Sequence, residues 1–97
     1  MSIRQRYPEL FQFAGYFNED WMEDAPTWEG LIDFYAEHTT PPERRLVLVE
    51  LNQLLLETET DADLDEAVRD LGFMYWPPPQ TYREWLVDVR DRLAGSI

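Results

Sequence analysis

The chain has 97 residues and a mass of 11.6 kDa, room for one hydrophobic core but not two, so a single domain over residues 1–97 is expected. Twenty acidic residues stand against eight basic ones, all Arg, and the formal net charge of −12 repels nucleic acid and anionic membranes while favouring a basic protein partner. The absence of Cys excludes a disulfide framework and a thiolate metal site, and the longest apolar runs, Leu46–Val49 and Phe73–Trp76, are too short to span a membrane.

In chain order, the start MSIRQRYPELFQF is basic but interrupted by Glu9 and Gln12, so it lacks a signal-peptide core and the cytoplasm is the expected address. Pro8 suits a first helical turn, and Leu10, Phe13, Ala14 and Phe17 share one face, which predicts a first helix over residues 8–17. NEDWMEDAP, residues 18–26, has four carboxylates, no apolar period and a closing Pro, and reads as a loop pinned by Trp21. Thr27 is a cap for a second helix ending near His38, with Trp28, Leu31, Ile32 and Tyr35 on one face; Gly30 either weakens it or marks close packing.

Thr40, Pro41, Pro42 and Glu43 combine a T-x-x-E capping box with Pro in the first turn and open a helix over residues 41–57. Val47, Leu48, Leu51, Leu54 and Leu55 form one broad apolar face, and Val49 and Leu56 begin a second. A helix apolar over most of its girth must be wrapped by neighbours, so this one is expected at the centre. Beyond it, TETDADLDE places acids before Leu64, Ala67, Val68 and Leu71, where a helix N-terminus favours them, and Gly72 supplies the stop. Three successive Pro make FMYWPPP, residues 73–79, an extended crossover. A second capping box, Thr81 with Glu84, opens a last helix with Trp85, Leu86, Val89 and Leu93 inward and Gly95 at its end. The expected fold is all-α, about five helices around the helix at 41–57.

Chemistry-bearing patterns are sparse. Asp61, Asp63 and Asp65 match the first ligands of a calcium loop, but Glu66 stands where glycine is needed and Gly72 where the bidentate glutamate belongs, so helix-end acids are the better reading. His38 is the only histidine, at a helix end, so no two-histidine zinc site exists. Neither a lysine nor a glycine-rich phosphate loop is present. Pairs such as Glu19 with Asp20 are equally at home in a solvated loop. No catalytic residue, metal or cofactor is therefore expected. The aromatic clusters Tyr16, Phe17, Trp21 and Tyr75, Trp76 are expected to build core rather than surface.

YPELFQFAGYFNEDW, residues 7–21, the TWEG turn at 27–30 and YWPPPQTYREWLVDVRDRL near the end resemble the immunity proteins of bacterial contact-dependent growth inhibition systems. The resemblance covers Tyr7 to Leu93. Its first motif, PEL-x-x-F-x-x-Y-F-x-x-D-W, is matched by Pro8, Glu9, Leu10, Phe13, Tyr16, Phe17, Asp20 and Trp21, while Asn18 departs from a frequent histidine. The resemblance implies a cytoplasmic antidote that binds and blocks an incoming toxic domain, frequently a nuclease, without catalysis. A basic toxin surface would suit this acidic chain. The expected contact residues are Glu19, Asp20, Glu23 and Asp24, with Glu57, Glu59, Asp61 and Asp63 as a second patch. For Asp20, its place beside Trp21 in the motif offers an alternative to toxin contact, that it caps or buttresses the loop. An acidic adaptor or DNA-mimic regulator binding many basic proteins is the alternative, and a carboxylate hydrolase is a third reading.

Overall fold

The computed structural model describes residues 2–97, and every regular element among them is helical. Six α-helices follow in order: α1 Ile3–Arg6, α2 Pro8–Ala14, α3 Trp28–Glu37, α4 Pro41–Glu57, α5 Asp61–Leu71 and α6 Tyr82–Ala94. Short 3-10 turns at Gly15–Phe17 and Trp21–Glu23 lie between α2 and α3. The all-α expectation holds, but the count of five becomes six, because Ser2 and Gln5 form a capping box that starts a helix ahead of Pro8. The helix expected over 8–17 stops at Ala14: Gly15 weakens it, and Asn18 Nδ2 donates to the Gly15 carbonyl at 3.0 Å, which favours the tighter turn.

The helices after Thr27, Thr40 and Thr81 start where those caps predict, and α5 starts at a further cap, Thr60. Thr27, Thr40, Thr60 and Thr81 each accept a hydrogen bond from the backbone N–H three residues on. At Thr40 and Thr81 the glutamate returns the bond to the cap's own N–H, so both capping boxes form. Gly72 ends α5 at φ 95°, a left-handed conformation that favours glycine. The α2 start has no side-chain cap of its own; instead Glu50 of α4 accepts from the N–H groups of Glu9 and Leu10, both at 3.0 Å.

Val47, Leu51 and Leu54 of α4 are buried, as are Trp85, Leu86, Val89 and Leu93 of α6, and they join Leu10, Phe13, Leu31, Ile32, Leu64 and Val68 in one core cluster. The expectation that α4 is wrapped on both faces is corrected. Leu46, Val49 and Leu56 are 51%, 63% and 84% exposed, because α4 is held chiefly by α2 and α6 on one side. α6 is the more enclosed helix, packed against α3, α4 and α5. Arg44 lies on the buried stripe of α4 at 6% exposure and donates to the carbonyls of Ala36, Thr39 and Ser96, joining the end of α3 to the C-terminus.

Leu54, 1% exposed, tests the buried face of α4. Leu54→Ala is expected to destabilise by about 2 to 5 kcal/mol through lost transfer free energy and the cavity left behind, read as a lower urea midpoint. An unchanged midpoint would remove this face from the core.

Candidate functional site

The acidic loop is built from short-range turns on three core anchors. Phe17, Trp21 and Ala25 are buried, so the chain between them has few places to go. Asn18 Oδ1 accepts from Asp20 N at 2.8 Å and the Asn18 carbonyl accepts from Trp21 N at 3.1 Å, an Asx-type turn that asparagine makes readily. With the aromatic positions turned inward, Glu19, Asp20, Glu23 and Asp24 are left exposed. None of the four forms an ion pair among the described residues. Asp20 precedes the turn at Trp21–Glu23, yet its side chain makes no capping bond, so its expected part as a loop cap is corrected. Met22, 68% exposed, stands among these carboxylates.

The second acidic patch is largely engaged with the chain itself. Glu57 pairs with Arg6, and Asp61 pairs with Arg83 Nε at 3.2 Å. Arg83 also donates to the carbonyls of Leu55 at 3.1 Å and Thr58 at 2.6 Å, so α6 clamps the turn between α4 and α5. Glu59 and Asp63 stand exposed without such partners among the described residues, so this patch presents less free charge than its sequence promises.

The extended crossover borders both segments. Met74 N donates to the Phe17 carbonyl at 2.7 Å, and the Tyr75 ring lies 5.7 Å from Trp21 and stacks on Trp85 at 4.5 Å with 17° between planes. Further along, Trp76, Pro77 and Pro78 line a groove with Asp61 and Asp65 of α5. Side chains of an extended chain alternate, and here Phe73 and Pro77 are buried and Tyr75 half-buried, while Met74 and Trp76 face out. The expectation that Trp76 builds core is corrected: it is 78% exposed, and the period-two alternation through FMYWP was the signal available for it.

A shallow cleft elsewhere is lined by Glu9, Tyr16, Tyr35, His38 and Glu43. Burial, followed by the nearby charges of Tyr16, Glu43 and Glu9 against an opposing Arg44, pushes the Tyr35 phenol up to about 12, so it stays a neutral hydroxyl at physiological pH. His38 Nδ1 lies 2.8 Å from the Phe34 carbonyl and Glu43 caps Thr40 N at 2.8 Å, so both groups hold helix ends. Among the described residues no helix is long and apolar enough to cross a membrane.

No curated protein and no solved structure matches the chain. Residues 6–93, however, match the sequence profile of a family described as CdiI immunity protein. That span takes in α2, the acidic loop, α3 to α5, the crossover and nearly all of α6, so both acidic segments and the groove at Trp76 fall within it. The chain therefore belongs to the CdiI immunity protein family.

Proposed function

We propose that this chain, an immunity protein against a contact-dependent growth inhibition toxin by its family, neutralises its cognate toxin domain in the cytoplasm by noncovalent occlusion. The toxin is a basic domain, probed first as a nuclease, and the antidote works by binding alone. One observation carries this reading: Glu19, Asp20, Glu23 and Asp24 project from a loop anchored by Phe17, Trp21 and Ala25, with no ion pair among the described residues. Four free carboxylates held on a fixed backbone create a local negative potential that neither folding nor helix capping uses. In the second patch Glu59 and Asp63 have no ion pair among the described residues and remain candidates for contact, while Glu57 and Asp61 are tied to Arg6 and Arg83.

The direct test is co-expression with a candidate cognate toxin domain, sought first in the adjacent gene, with growth rescue and co-purification as readouts. Growth arrest that persists despite a folded, abundant immunity protein would overturn the reading. The loop is tested separately by replacing Glu19 and Glu23 with Gln and Asp24 with Asn. Long-range attraction acts on encounter, so the triple variant should associate about tenfold more slowly while its dissociation rate changes little. Added salt should slow the unmodified protein in the same way. Surface plasmon resonance across a salt series gives both rates, and circular dichroism confirms the fold. A folded triple variant with unchanged association rate and salt dependence would remove this loop from the docking surface.

A further inference from the structure

Trp76 is the most exposed aromatic side chain among the described residues, at 78%, and folding gives no reason for it. Its neighbours do have reasons. Tyr75 stacks on Trp85, Pro77 is buried, and the Tyr82 hydroxyl donates to the Tyr75 carbonyl at 2.7 Å. The backbone of Trp76 is thus fixed from both sides, and the indole is presented rather than left loose.

It is presented at one wall of a groove of about 150 Å³, whose other walls are Pro77, Pro78, Tyr82 and the carboxylates Asp61 and Asp65. Sites for small molecules start at roughly 300 Å³, so this one has the size for a single side chain. The two carboxylates differ. Asp61 is held by Arg83 Nε at 3.2 Å, whereas Asp65, half-buried, forms no ion pair among the described residues. The Tyr82 phenol is pushed up by burial and then by the charge of Asp65, with Arg69, one turn further along α5, opposing. The field of Asp65 therefore reaches the groove wall.

We infer that this groove receives an arginine side chain of the protein partner. An exposed indole face attracts a cation, the flat proline rings accept a flat group, and a free carboxylate at the edge accepts two N–H bonds from a guanidinium. An ammonium would gain the charge attraction but neither the stacking nor the paired bonds, which favours arginine over lysine. An acidic side chain is repelled by Asp65 and by a chain of net charge −12. Trp76 supplies an aromatic anchor in addition to the acidic loop's exposed Met22, and Trp is among the residues that dominate binding energy at interfaces.

The inference rests on the proposed toxin-binding function, and two separate measurements keep it distinct from that reading. In the first, the full chain labelled with nitrogen-15 is titrated with N-acetyl-arginine N-methylamide and with the neutral citrulline analogue. The Trp76 indole N–H resonance should move with the arginine compound and stay in place with citrulline. Asp65→Asn should abolish most of that movement. In the second, Trp76→Ala is measured against the cognate toxin. The dissociation constant should rise about tenfold or more, chiefly through faster dissociation. Because Trp76 is outside the core, the variant should keep its helical circular dichroism spectrum.

Equal shifts with citrulline, or none with arginine, would overturn the inference. So would unchanged toxin affinity in folded Trp76→Ala, and in that case the antidote function itself would stand. If the unmodified chain failed to bind the toxin, the function would fall and the arginine titration would still decide the groove.

Discussion

Replacing Arg44 with alanine is expected to lower stability by about 3 kcal/mol or more, a large share of the folding free energy of a small domain. Arg44 is 6% exposed and has no carboxylate partner among the described residues. Its charge is met by carbonyls: Ala36 at 2.7 Å, Thr39, and Ser96 at 3.0 Å, with the Thr39 hydroxyl at 3.2 Å. Ala36 lies in the last turn of α3 and Ser96 just beyond α6, so the cation sits between two negatively polarised helix ends. Alanine would leave these carbonyls facing the space the side chain filled, and each orphaned acceptor carries a desolvation penalty. Arg44→Lys restores the charge but cannot reach three separated acceptors with one ammonium, so it should recover only part of the loss. Urea denaturation of both variants decides this. If Arg44→Lys matched the unmodified protein, charge alone would be the stabilising feature and the fork geometry would be irrelevant.

Arg44 also shows where legibility of the sequence ended. The helix beginning at Pro41 was readable to the residue, because Thr40 and Glu43 form a local motif whose bonds involve only neighbours. The same holds at Thr81 with Glu84 and at Gly72. Ser2 with Gln5 carries a similar signal, but the helix it opens is only four residues long, too short for an apolar period to support it. Arg44 falls three residues before Val47 and seven before Leu51, on the stripe that proves buried, yet its acceptors come from α3 and the C-terminus and no local pattern names them. The open side of α4 departs from expectation for the complementary reason. Periodicity reports which positions are apolar, not how many neighbours a chain of 97 residues can supply to cover them.

The candidate surface divides along the same line. The carboxylates of the first loop were legible because the buried positions Phe17, Trp21 and Ala25 leave Glu19, Asp20, Glu23 and Asp24 no inward direction. In the second patch, the pairing of Glu57 with Arg6 and of Asp61 with Arg83 depends on packing between helices far apart in sequence. The groove at Trp76 and Asp65 arises likewise, from a crossover laid against the start of α5.

Trp85→Ala should be among the most damaging single changes in this protein, at about 3 to 5 kcal/mol. Trp85 is fully buried and its ring meets those of Phe17, Trp28, Phe73, Tyr75 and Tyr82. Alanine would open a cavity at the point where the crossover and the acidic loop are both secured. Trp85→Phe tests a finer point. The indole Nε1 is buried and has no hydrogen-bond partner among the described residues. Phenylalanine removes part of the ring but also removes that unpartnered donor, so the two effects oppose each other. Its expected loss is about 1 to 2 kcal/mol, well below that of alanine. Urea midpoints give the two losses, and the near-ultraviolet circular dichroism of the aromatic cluster reports whether the rings still pack. Because Tyr75 rests on Trp85 and Met74 N holds the Phe17 carbonyl, Trp85→Ala should also weaken toxin binding without touching any surface carboxylate. Should Trp85→Phe prove as destabilising as Trp85→Ala, the indole N–H is stabilising rather than idle, and the opposing-effects account of this position fails.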